Sequence, residues 1–98
     1  MHALFDTHTH FDVSDFDHDR EQLAYQAKQV GVEALVLIGF VQQRFKTLLA
    51  THHFINGLTA APQSYLAPGL HPFYIEQHQS SDLLDLERIL QTEECVAI

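Results

Sequence analysis

The sequence predicts an α/β protein built on a parallel sheet, on three observations. Four apolar runs begin roughly thirty residues apart, at Leu4, Glu33, Tyr65 and Cys95, the length of one βαβ unit. The second run, Glu33-Ala34-Leu35-Val36-Leu37-Ile38-Gly39, is apolar without alternation, the mark of a strand covered on both faces. Between the runs lie segments with apolar residues at helical spacing, so strands and helices alternate along the chain.

The first strand is expected over Leu4 to His8. A loop rich in Asp and Ser runs from Val13 to Asp17, where the Asp17 side chain can cap a helix that Asp19 and Glu21 favour through its dipole. Leu23, Ala24, Ala27 and Val30 form its apolar stripe, and Gly31 ends it in a left-handed conformation. A second helix runs from Val41 to about Phe54 with Phe45, Leu48, Leu49 and His52 on one side, stopped by Asn56-Gly57. Tyr65 to Leu70 is the third strand candidate, although Pro68 cannot donate to a ladder. A loop to Ser81 precedes a helix with Leu83, Leu86, Ile89 and Leu90, capped by Ser80 or Ser81. Cys95-Val96-Ala97-Ile98 reads as a fourth buried strand.

Composition narrows the function. At 46% hydrophobic the chain is globular, and 98 residues make one small domain. Thirteen acidic residues against five basic ones give a net charge of −8, the wrong sign for neutralising many duplex phosphates. Bound cations would have to supply the electrostatics at any scissile phosphate. Cys95 is the one cysteine, and no membrane-length apolar run is present, which predicts a reducing, cytoplasmic setting without membrane insertion.

The chemistry gathers in Phe5-Asp6-Thr7-His8-Thr9-His10-Phe11-Asp12. On a regular strand the period of two puts Asp6, His8 and His10 on one face. Two imidazoles and a carboxylate lined up in this way are costly to desolvate unless a cation sits between them. Two His at i and i+2 can bind one divalent ion in cis, and imidazole suits zinc, iron, manganese and nickel. Asp6 is then a group that fixes a ligand tautomer, or a ligand itself. His71 follows the third strand candidate, so all three histidines fall at C-terminal strand ends, the active-site face of parallel α/β folds. For His71 the alternatives are a substrate contact or general acid, and a turn residue held by Pro72. His52 and His53 are neighbours in a helix and read as contacts near its C-terminus rather than as a ligand pair. His2, His18 and His78 read as surface residues, and Cys95 as a small buried hydrophobe.

At these residues the sequence resembles the TatD family of metal-dependent hydrolases and deoxyribonucleases. The likeness rests on Phe5 to Asp12, on Val30-Gly31-Val32, on Gly69-Leu70-His71-Pro72 and on Val96-Ala97-Ile98. It implies the N-terminal part of a TIM (β/α)₈ barrel, about three βα units and a fourth strand, with residues 1–98 as a single partial barrel domain. It implies His8 and His10 as ligands in a site for one or two divalent ions (Zn, Mn, Mg, Ni or Fe), Asp6 behind them, and His71 as the catalytic residue on the substrate side. The expected substrates are phosphodiesters, in DNA ends or short oligonucleotides. The family's next motif, with its bridging glutamate, would begin after Ile98, so a site built from this chain alone is expected to be incomplete.

Two other hydrolase classes share the HxH pattern. A PHP-type phosphoesterase would follow its second strand with an Asp-His pair, where this chain reads Ile38-Gly39-Phe40. Other amidohydrolase-like enzymes commonly carry an N-terminal β-domain ahead of the motif, for which this chain is expected to have no room. The alternative without catalysis is a fragment that only binds metal or associates with its own copies through open sheet edges.

Overall fold

The computed structural model describes residues 3–98, so the expectation for His2 lies outside the described residues. Three parallel strands, β1 (Leu4–Thr9), β2 (Val32–Ile38) and β3 (Gln63–Ala67), form one sheet in the order β1-β2-β3. Helices α1 (Arg20–Gln29) and α2 (Phe45–Asn56) connect them, and α3 (Ser80–Thr92) follows β3. The alternation of strand and helix is as the sequence predicts.

The local signals explain most boundaries. Gly31 takes φ 106°, the left-handed conformation that stops α1 and turns the chain into β2. The Asp17 cap does not form: Ser14–Phe16 is a short 3₁₀ turn, α1 begins at Arg20, and the Asp17 carboxylate accepts from Arg20 instead. β3 starts earlier than expected and ends before Pro68. Besides its ladder with β2, the start of β3 is held by a side chain: Asn56 accepts from the Ser64 N–H at 2.7 Å and donates to the Ser64 carbonyl at 3.1 Å. The segment after His71 is 3₁₀ helix over Pro72–Gln77 rather than loop. The start of α3 is held by Asp82, whose carboxylate accepts from the Gln79 N–H, rather than by Ser80 or Ser81.

The core lies on one side of the sheet. Leu35 and Leu37 of β2 and Leu66 of β3 pack against Leu48 and Ile55 of α2. A second cluster joins Phe45 of α2 to Leu86 and Ile89 of α3. The expected stripes are corrected in detail: α2 buries Phe45, Leu48, Thr51 and Ile55, while Val30 and Leu83 are exposed.

Two expectations about strands are overturned. β2 is not covered on both faces: Ala34 and Val36 open onto a cavity shared with Phe5, Tyr65 and Val96, and Phe5 is 68% exposed. The run lacks alternation because both faces are apolar, but among the described residues one face alone has a helix against it. The fourth strand is reduced to a single parallel bridge, Leu66 with Cys95, in which the Val96 N–H donates to the Leu66 carbonyl at 2.9 Å.

Candidate functional site

The site begins with an irregularity in β1. Phe5 pairs with Ala34, Asp6 with Leu35 and Thr9 with Leu37, so the pairing advances three residues along β1 for two along β2. Such a bulge shifts the alternation of side chains by one. Phe5 shares the open side with Ala34, while Asp6 and Thr9 align with the helix-facing leucines. His8 and His10 therefore fall on the open side and Asp6 does not, so the single polar face expected of a regular strand is split. Asp6 stays coupled to the pair through the main chain, because the His8 N–H donates to its carboxylate at 3.2 Å.

The two imidazoles stand edge to face, with centroids 5.2 Å apart and planes at 85°. Two histidines sharing one ion at ~2.0–2.1 Å and a roughly tetrahedral angle would have centroids about 5 Å apart, so the spacing is compatible with a shared ion, as it is with an ordinary edge-to-face contact. His10 Nδ1 is buried and has no hydrogen-bond partner among the described residues. Among the described residues, no group of three or more His, Cys, Asp or Glu comes together to complete such a site.

His71 is brought to the same end of the sheet by the β2–β3 ladder. The pairing continues past the strands: the Gly39 N–H donates to the Ala67 carbonyl at 3.0 Å, and the His71 N–H to the Phe40 carbonyl at 2.8 Å. Gly39 permits this closeness, since a Cβ there would sit 2.9 Å from the Gly69 nitrogen. His71 Nδ1 accepts from the Phe73 N–H at 3.0 Å, which leaves the proton of a neutral imidazole on Nε2. His71 lines two cavities of about 440 and 410 Å³, one with His10 and the other with His8. Neither is lined by a lysine or arginine. Phe40, Phe73 and Tyr74 form the aromatic wall of the first, with His10 against Phe40 at 5.5 Å and Phe40 against Tyr74 at 5.4 Å.

A model of the family described as TatD related DNase matches residues 5–98. The chain belongs to the TatD-related DNase family. It is 35% identical, over 104 aligned positions and all of its length, to an uncharacterized metal-dependent hydrolase of Haemophilus influenzae, covering 37% of that protein. To the uncharacterized metal-dependent hydrolase YabD of Bacillus subtilis it is 31% identical over 97% of its length, covering 35% of that protein. The TatD-related chain thus spans little more than a third of these curated relatives.

Several polar residues of the TatD-related chain have roles that sequence reasoning missed. His78 is not a free surface group: its Nε2 lies 2.7 Å from the His71 carbonyl, bracing the catalytic candidate from behind. His52 Nδ1 lies 2.9 Å from Ser64 Oγ and His53 Nε2 lies 3.1 Å from Glu93, so the neighbours serve different contacts. Burial holds the His52 imidazole below its ordinary value, His53 adds to the effect and Glu93 opposes it. Cys95 packs at the edge of the core, and burial, then Glu93, push its thiol pKa up, which disfavours a nucleophilic thiolate. No described helix is long and apolar enough to cross a membrane.

Proposed function

We propose that residues 1–98 are a single partial domain, the first arc of a (β/α)₈ barrel, from a cytoplasmic metal-dependent hydrolase that cleaves phosphodiesters in DNA ends or short oligonucleotides. Three parallel strands in sequential order with intervening helices support the barrel arc. The observation that carries the function is the pairing of His8 and His10 on the open side of β1, with His71 lining the adjoining cavities. The relatives' description as metal-dependent hydrolases agrees with it.

His8 and His10 would hold a divalent ion, which when bound supplies Lewis acidity and a water of lowered pKa. Asp6 steadies the His8 main chain from behind. His71 presents its Nε2 proton to the substrate side, where it can hydrogen-bond a phosphate oxygen or protonate a leaving alkoxide. No lysine or arginine lines these cavities, so a cation held by His8 and His10 would have to supply the charge that meets the phosphate. Phe40, Phe73 and Tyr74 offer ring faces on which an unpaired base can stack, which favours ends and short strands over duplex. The cytoplasmic assignment rests on the unpaired Cys95.

The test is a phosphodiesterase assay with manganese, magnesium, zinc, nickel or iron, with metal binding measured in parallel. His8→Ala is expected to abolish turnover and, with His10→Ala, to lower metal occupancy. Occupancy indifferent to the double substitution defeats the metal pair.

A second reading is favoured by the exposed Phe5 and Val96 on the uncovered face of the sheet. In it the chain binds metal without turnover and associates with its own copies through that face and the β1 edge. Absence of activity with every metal, together with concentration-dependent sedimentation, supports it over catalysis.

A further inference from the structure

Three consecutive carbonyls follow His10, and each accepts a hydrogen bond from an arginine. Phe11 accepts from Arg20 Nε at 2.9 Å, Asp12 from Arg44 Nη2 at 2.7 Å, and Val13 from Arg20 Nη2 at 2.8 Å. Arg20 opens α1 and Arg44 ends the 3₁₀ turn that leads into α2. Two connecting segments far apart in sequence thus grip the same short stretch of main chain.

The gripped stretch is a turn that starts at His10 itself, whose carbonyl accepts from the Val13 N–H at 3.1 Å. At its centre Asp12 is 1% exposed, and neither carboxylate oxygen has a hydrogen-bond partner among the described residues. Arg44 Nη2, 3.7 Å from Oδ2, is the cation that faces this buried charge. A metal-bound histidine is ordinarily oriented by a hydrogen bond on its other ring nitrogen. Among the described residues His10 has no partner at buried Nδ1; its ring is flanked by His8 and Phe40, and its direction follows from the main chain that carries it.

We propose that Arg20 and Arg44 are positioning residues of the metal centre, which set the His10 imidazole by clamping the carbonyls of residues 11–13. The inference rests on the reading of His8 and His10 as a metal pair. Arginine suits the task because its planar fork reaches two acceptors at once, as Arg20 does with Phe11 and Val13. A lysine ammonium keeps the charge but cannot span both carbonyls.

The test measures the affinity of the full chain for Zn²⁺ alone, by competition with a chromogenic chelator, beside the thermal midpoint of the metal-free protein. Arg20→Lys is expected to weaken Zn²⁺ about tenfold while the midpoint stays near that of the unsubstituted chain. Arg44→Ala strips the buried Asp12 of its cation and lowers the midpoint as well. Pairing it with Asp12→Asn removes the buried charge, so the double variant should regain the midpoint and still bind Zn²⁺ weakly. Affinity that returns with the midpoint, or unaltered affinity in Arg20→Lys, overturns the clamp. His8→Ala separates the two readings: affinity lost there but intact in the arginine variants defeats the clamp alone, and affinity indifferent to His8→Ala defeats the metal pair and the clamp with it.

Discussion

On the helix side of β2, Leu35 and Leu37 are closed in by Leu48 and Ile55 of α2 and by Leu66 of β3, and Leu37 is 0% exposed. On the opposite side of the same strand, Ala34 and Val36 face a cavity whose other walls are Phe5, Tyr65 and Val96. Both sides present apolar residues in this run, so cover and not polarity separates them. Cohesion is concentrated on the covered side, while the open side and its C-terminal end carry the candidate site. Neighbouring residues of one strand should therefore respond very differently to the same truncation.

The largest expected effect is on the covered side. Leu37→Ala removes a fully buried side chain from the main cluster and should cost about 2–5 kcal/mol in urea unfolding. Val36→Ala, one residue away on the open side, should cost under about 1 kcal/mol, since part of its surface already meets solvent. Equal costs at the two positions would erase the distinction between the faces.

Gly39→Ala tests the junction where β2 meets the site. The new methyl would lie 2.9 Å from the Gly69 nitrogen and 3.1 Å from the Pro68 Cα, both backbone atoms that yield only if the strand ends part. A loss of about 1–3 kcal/mol is expected, with displacement of Phe40 and His71 seen as shifted amide resonances. A neutral outcome would mean that the strand ends do not need this close approach.

Phe5→Lys should leave the unfolding free energy within about 0.5 kcal/mol, because the side chain is largely exposed. If the open face drives self-association, this charge should shift sedimentation towards the monomer. Association unchanged by it would assign the contact to another surface.

The smallest effect expected is a pH dependence from the covered side. His52 has a folded-state pKa below the ordinary 6.5, chiefly through burial. The unfolded chain then binds the proton more tightly, so the stability contribution is complete above pH 6.5 and is lost as pH falls through the depressed value. Replacing His52 with Gln should flatten the slope of stability against pH in that window, and an unaltered slope would mean that another group sets it.

Periodicity and spacing were enough for the alternation of strands and helices, for the stop at Gly31, and for the placement of His8, His10 and His71 at strand ends, because these follow from local conformation and from the length of a βαβ unit. The motifs at residues 5–12 and 69–72 were likewise sufficient for the family. Which face of β2 receives a helix was not legible, since an apolar run looks the same whether one side is covered or both. The bulge that parts Asp6 from the two histidines could not be read either, because it arises from registering β1 against β2 and not from either strand alone. The same holds for the grip of Arg20 and Arg44 on the turn after His10 and for the bracing of His71 by His78. A hydrogen bond between segments exists only once packing has fixed their distance, whereas a helix stripe or a ligand spacing is already present in the order of the residues.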